Sequence, residues 1–222
     1  MIKLYVADVS AYEDIDFSDA EREFNKYVSD SAHLHIKEAR SEKVKKERLF
    51  SYALLGFAIA DTYKCDSKKE IVFERDKKPY FPESDIKFSV SHTDGAVAAL
   101  IGDFDVGVDI EAVTDASNRT TDAFITRYGI DIPNESVGNI SEMRFLIAKD
   151  SEFTLSDECV FSENKGEPTE KWTATEACLK LSGDGFCALS GLKTVPEGIR
   201  VCSIRIKANK REFSLSTAIY KK

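Results

Sequence analysis

The chain has no apolar run long enough to cross a membrane. Its longest, Ala53-Leu54-Leu55-Gly56-Phe57-Ala58-Ile59-Ala60, falls far short of the ~20 residues a spanning helix needs, and the N-terminus has no basic-then-apolar signal pattern. A soluble, cytoplasmic protein is therefore the expectation. Cysteine is sparse and odd in number: Cys65, Cys159, Cys178, Cys187 and Cys202 show no paired metal spacing, so they are expected to be reduced and to serve mostly in packing, and Cys178 has no partner histidine. Positive charge is also short. A formal net charge of −8 lacks the basic footprint of general nucleic-acid binding. It does not exclude an anionic ligand, because Lys37, Arg40, Lys43, Lys45, Lys46 and Arg48, then Lys77 and Lys78, concentrate basic residues locally. The first of these runs fits a solvated helix face equally well.

What the chain does have is enough apolar material, 42% of 222 residues, for one sizeable core or two small fused ones. Alternation predicts a strand over Ile2 to Val9 and others near Ile71 to Glu74, Ile86 to Ser91, Val97 to Ile101 and Val106 to Ile110. A helix is expected after a capping box of Ser18 and Glu21, with Phe24, Tyr27 and Val28 as its apolar stripe. A longer helix is expected from Ser41 to Thr62, its charged first half in water and its second half in the core. A further helix covers Ala116 to Tyr128 and stops at Gly129. Residues 131 to 169, with Pro133, Pro168 and the polar stretch Ser162 to Glu167, read as loops. The chain closes on a helix from Trp172 to Leu181 and a hairpin of Val201 to Ile206 with Glu212 to Tyr220.

Two acidic clusters carry the chemistry. In Gly107-Val108-Asp109-Ile110-Glu111, a strand sends Asp109 and Glu111 to one face while Val108 and Ile110 enter a core. In the segment from Trp172 to Lys180, a helix aligns Trp172, Glu176 and Lys180 along one side. Asp109, Glu111 and Glu176 converging on one point repel unless a cation sits among them, and an oxygen-only set suits Mg²⁺ rather than zinc. Taken singly, each cluster also fits a bland reading, a solvated strand end or an i,i+4 surface pair. A third segment, Ile86 to Gly95, puts Phe88 and Val90 on one face and Lys87, Ser89 and Ser91 on the other. His92 stands at its mouth, where hydroxyl and imidazole suit phosphate oxygens.

The ordered set Lys78-Pro79-Tyr80, Phe88-Ser89-Val90-Ser91-His92-Thr93, Gly107-Val108-Asp109-Ile110-Glu111, Trp172-Thr173 with Glu176-Ala177 and Lys180, then Gly183-Asp184-Gly185-Phe186 closely resembles the surfactin-synthetase type of 4′-phosphopantetheinyl transferase. The resemblance runs from about Arg40 to Phe186. It implies an α+β fold of two similar α/β halves, 1–105 and 106–222, related by a pseudo-twofold, each a small mainly antiparallel sheet with a long packed helix and the active site in the cleft between them. Phe213-Ser214-Leu215-Ser216, an echo of Phe88 to Ser91, fits that expectation.

The implied reaction moves the 4′-phosphopantetheine arm of coenzyme A to a serine of an apo acyl or peptidyl carrier protein, with Mg²⁺ held by Asp109, Glu111 and Glu176. Glu176 is the implied base, and Lys180 the contact to the phosphates. Lys78, Ser91, His92 and Arg48 match the nucleotide end, the last two near the 3′-phosphate, and the arm is expected to face solvent. A monomer is expected, with no nucleic-acid or membrane partner. Two departures stand out. Thr175 replaces the lysine usual before the metal-binding glutamate, and the gap between the acidic motifs is long enough to read as a surface insertion. They motivate a second reading, a weakened relative that binds coenzyme A or a carrier protein without efficient transfer. An unrelated metal-dependent phosphohydrolase shares the acidic triad but leaves Phe88 to His92 and the Trp172 segment unexplained.

Overall fold

Alternation along the strands builds two sheets that face each other across one apolar layer. The computed structural model describes residues 1–75, 77–128, 140–156, 159–162, 165–183, 194–195 and 197–220. The class is α+β. The first sheet runs β2 (Lys87–Thr93), β3 (Ala96–Gly102), β1 (Ile2–Asp8), β5 (Glu142–Lys149), β6 (Glu152–Leu155), antiparallel except where β1 pairs in parallel with β5. The second runs β4 (Val106–Ala112), β9 (Arg211–Tyr220), β8 (Ile199–Ala208), β7 (Val160–Ser162), all antiparallel. Ile2, Leu4, Val6, Ala98 and Leu100 meet Val108, Ile110, Ile204 and Leu215 between the sheets.

Helices cover the outer faces. The long α3 (Glu42–Tyr63), N-capped by Ser41, turns from half-exposed to buried at Leu49, and its inner half packs on Tyr5, Ala7, Val97, Ala99 and Leu146. Two shorter helices, α1 (Phe17–Phe24) and α2 (Asp30–Lys37), close over it through Phe24, Ala32 and Ile36. On the second sheet, α4 (Asp115–Tyr128) and α5 (Pro168–Ser182) pack through Ile125, Ala174, Ala177, Cys178 and Leu181 onto Val201 and Ala218. A reciprocal Glu167–Glu170 capping box starts α5, and Gly183, left-handed at φ 79°, ends it.

Several expectations are corrected. Residues 131 to 169, expected to be loops, hold β5, β6 and β7 among the described residues, and β5 extends the first sheet beside β1. Ile71 to Glu74 makes only a single bridge, Val72 to Tyr80. Ser18 and Glu21 form no capping box, because α1 begins at Phe17 after Asp16 and Ser18 already lies in its first turn. The helix α2, capped by Ser29, was not expected. The hairpin at Asn209-Lys210 has the positive φ values, 46° and 64°, of a two-residue turn that matches strand twist. Gly129 and the Asp184-Gly185-Phe186 part of the last motif lie outside the described residues, as does Cys187. Cys65, Cys159, Cys178 and Cys202 are free thiols. Among the described residues no helix is long and apolar enough to cross a membrane.

One contact positions α5. A Cβ on Gly107 would stand 2.0 Å from the Ala177 carbonyl oxygen and 2.7 Å from the Leu181 nitrogen, so β4 and α5 approach backbone to backbone. Neither atom is a movable side-chain end. Gly107→Ala should therefore cost about 3 kcal/mol or more, read as a lower urea midpoint at unchanged slope. An unchanged midpoint would show that α5 is not clamped at this point.

Candidate active site

The two sheets meet at a seam between edge strands β2 and β4, and side chains replace the missing strand pairing. Ser89 Oγ accepts the Val108 N–H at 3.1 Å, Ser91 Oγ that of Ile110 at 3.3 Å, and Thr93 Oγ1 that of Ala112 at 3.2 Å. The period of two in Ser89-x-Ser91-x-Thr93 meets the period of two in the unpaired N–H groups of β4. With β4 held on one edge by β9 and on the other by these hydroxyls, Asp109 and Glu111 both face away from the apolar layer.

A cavity of about 370 Å³ opens beside this seam. Arg48, Ser51 and Tyr52 of α3 form one wall and Glu176 and Lys180 of α5 another, with Ser91, His92, Asp109 and Glu111 between them. Lys180 Nζ donates to Asp109 Oδ1 at 2.6 Å and to Ser91 Oγ at 2.9 Å, and lies 3.8 Å from Glu176 Oε2. Ser91 in turn donates to Asp109 Oδ1 at 2.7 Å, and Thr93 donates to Glu111 Oε2 at 3.3 Å. His92 Nδ1 lies 3.7 Å from Glu47 Oε2, and Arg48 donates to the His35 carbonyl at 2.7 Å.

The electrostatics show a shortage of positive charge. Burial, reinforced by the Asp109 charge, pushes Glu111 up to about 7 and Glu176 up to about 8. Burial alone would lower Lys180, but Asp109, Glu176 and Glu111 outweigh it and hold its pKa above the usual lysine value. Burial and the nearby Lys180 lower His92, which favours the neutral imidazole. Asp109 Oδ2 is buried with no hydrogen-bond partner. One ammonium thus serves three carboxylates in a low-dielectric cleft.

Seven of the expected residues are brought together: Arg48, Ser91, His92, Asp109, Glu111, Glu176 and Lys180. Lys78 is not among them. Its buried ammonium donates to the Val106 carbonyl, and burial pushes its pKa down to about 8. Thr175 is also turned away from the cavity: it is fully buried, and its hydroxyl bonds back to the Lys171 carbonyl at 2.8 Å. Of the basic run before Arg48, Lys43 pairs with Asp94 and Lys46 caps the Ile15 carbonyl. Sequence reasoning missed Ser51 and Tyr52. Their signal was the turn of α3 that follows Arg48.

Among the described residues no group of three His, Cys, Asp or Glu side chains is arranged to hold a metal ion as it stands, and Lys180 takes the place of a cation at Asp109. The donor chemistry nonetheless fits one. Three hard carboxylates, two of them holding protons near neutrality for want of positive charge, and an orphaned Asp109 oxygen are a set that Mg²⁺ satisfies. No model of a known protein family matches the chain, and no curated protein matches it.

The raised carboxyl values have a signed consequence. Above the ordinary carboxylate range the folded chain binds more protons at Glu111 and Glu176 than the unfolded chain does, so stability falls as pH rises through about 7 and 8. Thermal melts should show Tm dropping across this window, a shallower drop in Glu176→Gln, and a Mg²⁺-induced rise in Tm larger at about pH 8.5 than at about pH 6. A flat wild-type profile, or a Mg²⁺ effect independent of pH, would contradict the charge shortage.

Proposed function

We propose that the protein is a 4′-phosphopantetheinyl transferase of the surfactin-synthetase type, moving the phosphopantetheine arm of coenzyme A to a carrier-protein serine. The observation that carries the reading is convergence. Three motifs far apart in the chain, Phe88 to Thr93, Gly107 to Glu111 and Trp172 to Lys180, line a single cavity with Arg48. In this reading the two sheet-and-helix layers stand for the two related halves, 1–105 and 106–222, except that β5 and β6 of the second half join the first sheet, and the site lies in the cleft between the layers.

The reaction needs a serine oxygen to attack the phosphorus that bears the arm. The Oγ–P bond forms, the diphosphate P–O bond breaks, and adenosine 3′,5′-bisphosphate leaves. Glu176, whose raised pKa near 8 leaves only a minority deprotonated at neutral pH but makes that fraction a strong base, takes the serine proton, so the rate should rise with pH toward 8. Lys180, held by Ser91 and Asp109, places a fixed ammonium where charge grows on the leaving oxygens. Arg48 on the α3 wall and His92 on β2 orient the nucleotide end. A Mg²⁺ ion bound by Asp109, Glu111 and Glu176 supplies, when present, further neutralisation of the diphosphate. A second reading, a chain that binds coenzyme A without efficient transfer, is favoured by Thr175, which brings no ammonium to this cleft.

The decisive measurement is intact mass of an apo carrier protein incubated with the protein, coenzyme A and Mg²⁺. Gain of one phosphopantetheine is expected in wild type. Asp109→Ala, Glu111→Ala and Glu176→Gln should each lower the rate roughly hundred-fold or more while circular dichroism stays native. Binding of coenzyme A with no mass gain on any of a panel of carriers would select the second reading, and no binding would overturn both.

The nucleotide end gives a separate test. Dephospho-coenzyme A should bind roughly ten- to hundred-fold more weakly than coenzyme A, the usual loss of a charge-assisted contact. Arg48→Ala should narrow that gap. Equal affinity of the two donors in wild type would remove Arg48 and His92 from the 3′-phosphate.

A further inference from the structure

Two cavities border α3, and Glu47 stands at the partition between them. It lines the larger, of about 730 Å³, whereas the next residue, Arg48, lines the 370 Å³ cleft of the candidate active site together with His92. Successive helical positions are turned by ~100°, so α3 sends its glutamate to one side and its arginine to the other. His92 of β2 meets Glu47 across the partition: its Nδ1 lies 3.7 Å from Glu47 Oε2, longer than a hydrogen bond and short enough to close into one by a small movement of the ring. The other ring nitrogen, Nε2, is left for the cleft that His92 lines.

The charges facing this pair come from every element around it. On α3, Lys43 Nζ lies 3.9 Å from Glu47 Oε1, but it is 2.5 Å from Asp94 in the turn after β2, so its ammonium is already claimed. Arg48 gives its Nη1 to the His35 carbonyl. Asp109 of β4 is held by Lys180 of α5, and Glu111 and Glu176 line the same cleft. Burial, Lys180, Arg48 and Lys43 favour a neutral imidazole against the pull of Asp109, and burial also raises Glu47.

A neutral imidazole has one ring proton to place. Opposite an ionised Glu47 that proton belongs on Nδ1, which leaves a bare lone pair on Nε2, the wrong partner for a phosphate oxygen. One added proton corrects this. On the ring it makes both nitrogens donors, Nδ1–H to Glu47 and Nε2–H to the phosphate; on Glu47 it lets the acid O–H donate to Nδ1 while Nε2 carries the ring proton. Both placements count the same single proton.

We infer that Glu47 is a positioning residue that makes His92 a proton-coupled reader of the donor's 3′-phosphate: the pair takes up one proton from solvent as the phosphate arrives, with Nδ1 engaged by Glu47 and Nε2–H donated into the cleft. The inference rests on the proposed transferase reading and gives its nucleotide end a regulation, a tighter hold at lower pH. Glu47 itself does not touch the donor.

The test measures calorimetric affinities of coenzyme A and dephospho-coenzyme A from about pH 7 to about pH 8.5, where a free phosphate monoester is already mostly a dianion. Both donors carry the diphosphate, so titration of Glu111, Glu176 and Lys180 cancels in their ratio. In wild type the preference for coenzyme A should fall roughly ten-fold across this window, the signature of about one proton taken up. Glu47→Gln should flatten the slope, because its amide can donate to Nδ1 and leave Nε2–H on a neutral ring without proton uptake. His92→Ala should flatten it as well. A wild-type preference that does not change with pH, or a slope that survives Glu47→Gln, would overturn the inference while leaving the transferase reading standing. Loss of dephospho-coenzyme A binding in Glu47→Gln would show that Glu47 supports the cleft as a whole and would also overturn it. Failure of both donors to bind the wild type would overturn the transferase reading, and this inference with it.

Discussion

The contact on which the rest depends is the one between the backbone of β4 at Gly107 and the backbone of α5 at Ala177. Side chains normally hold a helix some ten ångströms from a sheet. Here the missing side chain lets the helix settle until its carbonyls reach the strand, and that depth carries Glu176 and Lys180 over Asp109. The helix is fixed at both ends as well. Buried Arg205 bonds to the fully buried Glu170 at 2.8 Å, while Gly183 turns the chain away at the C-terminal end. Breaking such a buried pair by removing one partner leaves an uncompensated charge, which makes the start of α5 as unforgiving as its middle.

Within that frame the site is deliberately undersupplied with cations. Lys180 is shared between Ser91 and Asp109, and the neighbouring glutamates answer by holding protons rather than charge. The arrangement contrasts with Lys78, which is buried against a carbonyl and loses basicity because desolvation outweighs the nearby Asp105 carboxylate, with Lys87 adding to the loss. Two lysines expected at one site thus shift in opposite directions.

Much of this was legible in the order of residues, because it rests on local periods. The period of two in β2 and β4 placed Asp109 and Glu111 on one face, and the i,i+4 spacing paired Glu176 with Lys180. Other features depend on contacts no local pattern carries. The strand Glu142–Lys149 is polar at both ends and finds its place only against β1, so a local reading took the region for loops. Ser91 looked like a free phosphate ligand, yet its oxygen is engaged by Ile110, Asp109 and Lys180. Lys78 sits in a motif that reads as nucleotide binding, but its reach ends at Val106.

The parallel pairing of β1 with β5 sets the order in which the chain can finish folding. Lys3 through Asp8 lie beside Glu142 through Ile147, so β1 leaves the ribosome with one edge that stays free until the chain as far as Ile147 has followed it. During that interval β1 can pair with β3 but not on its other side, and an unfilled strand edge is a template for other chains. Long-range parallel pairing is also slow to form, since the loop must close before the contact rewards it. Synthesis is therefore the moment of greatest exposure for this fold, and a holdase chaperone that shields β1 would act on yield without touching the finished molecule.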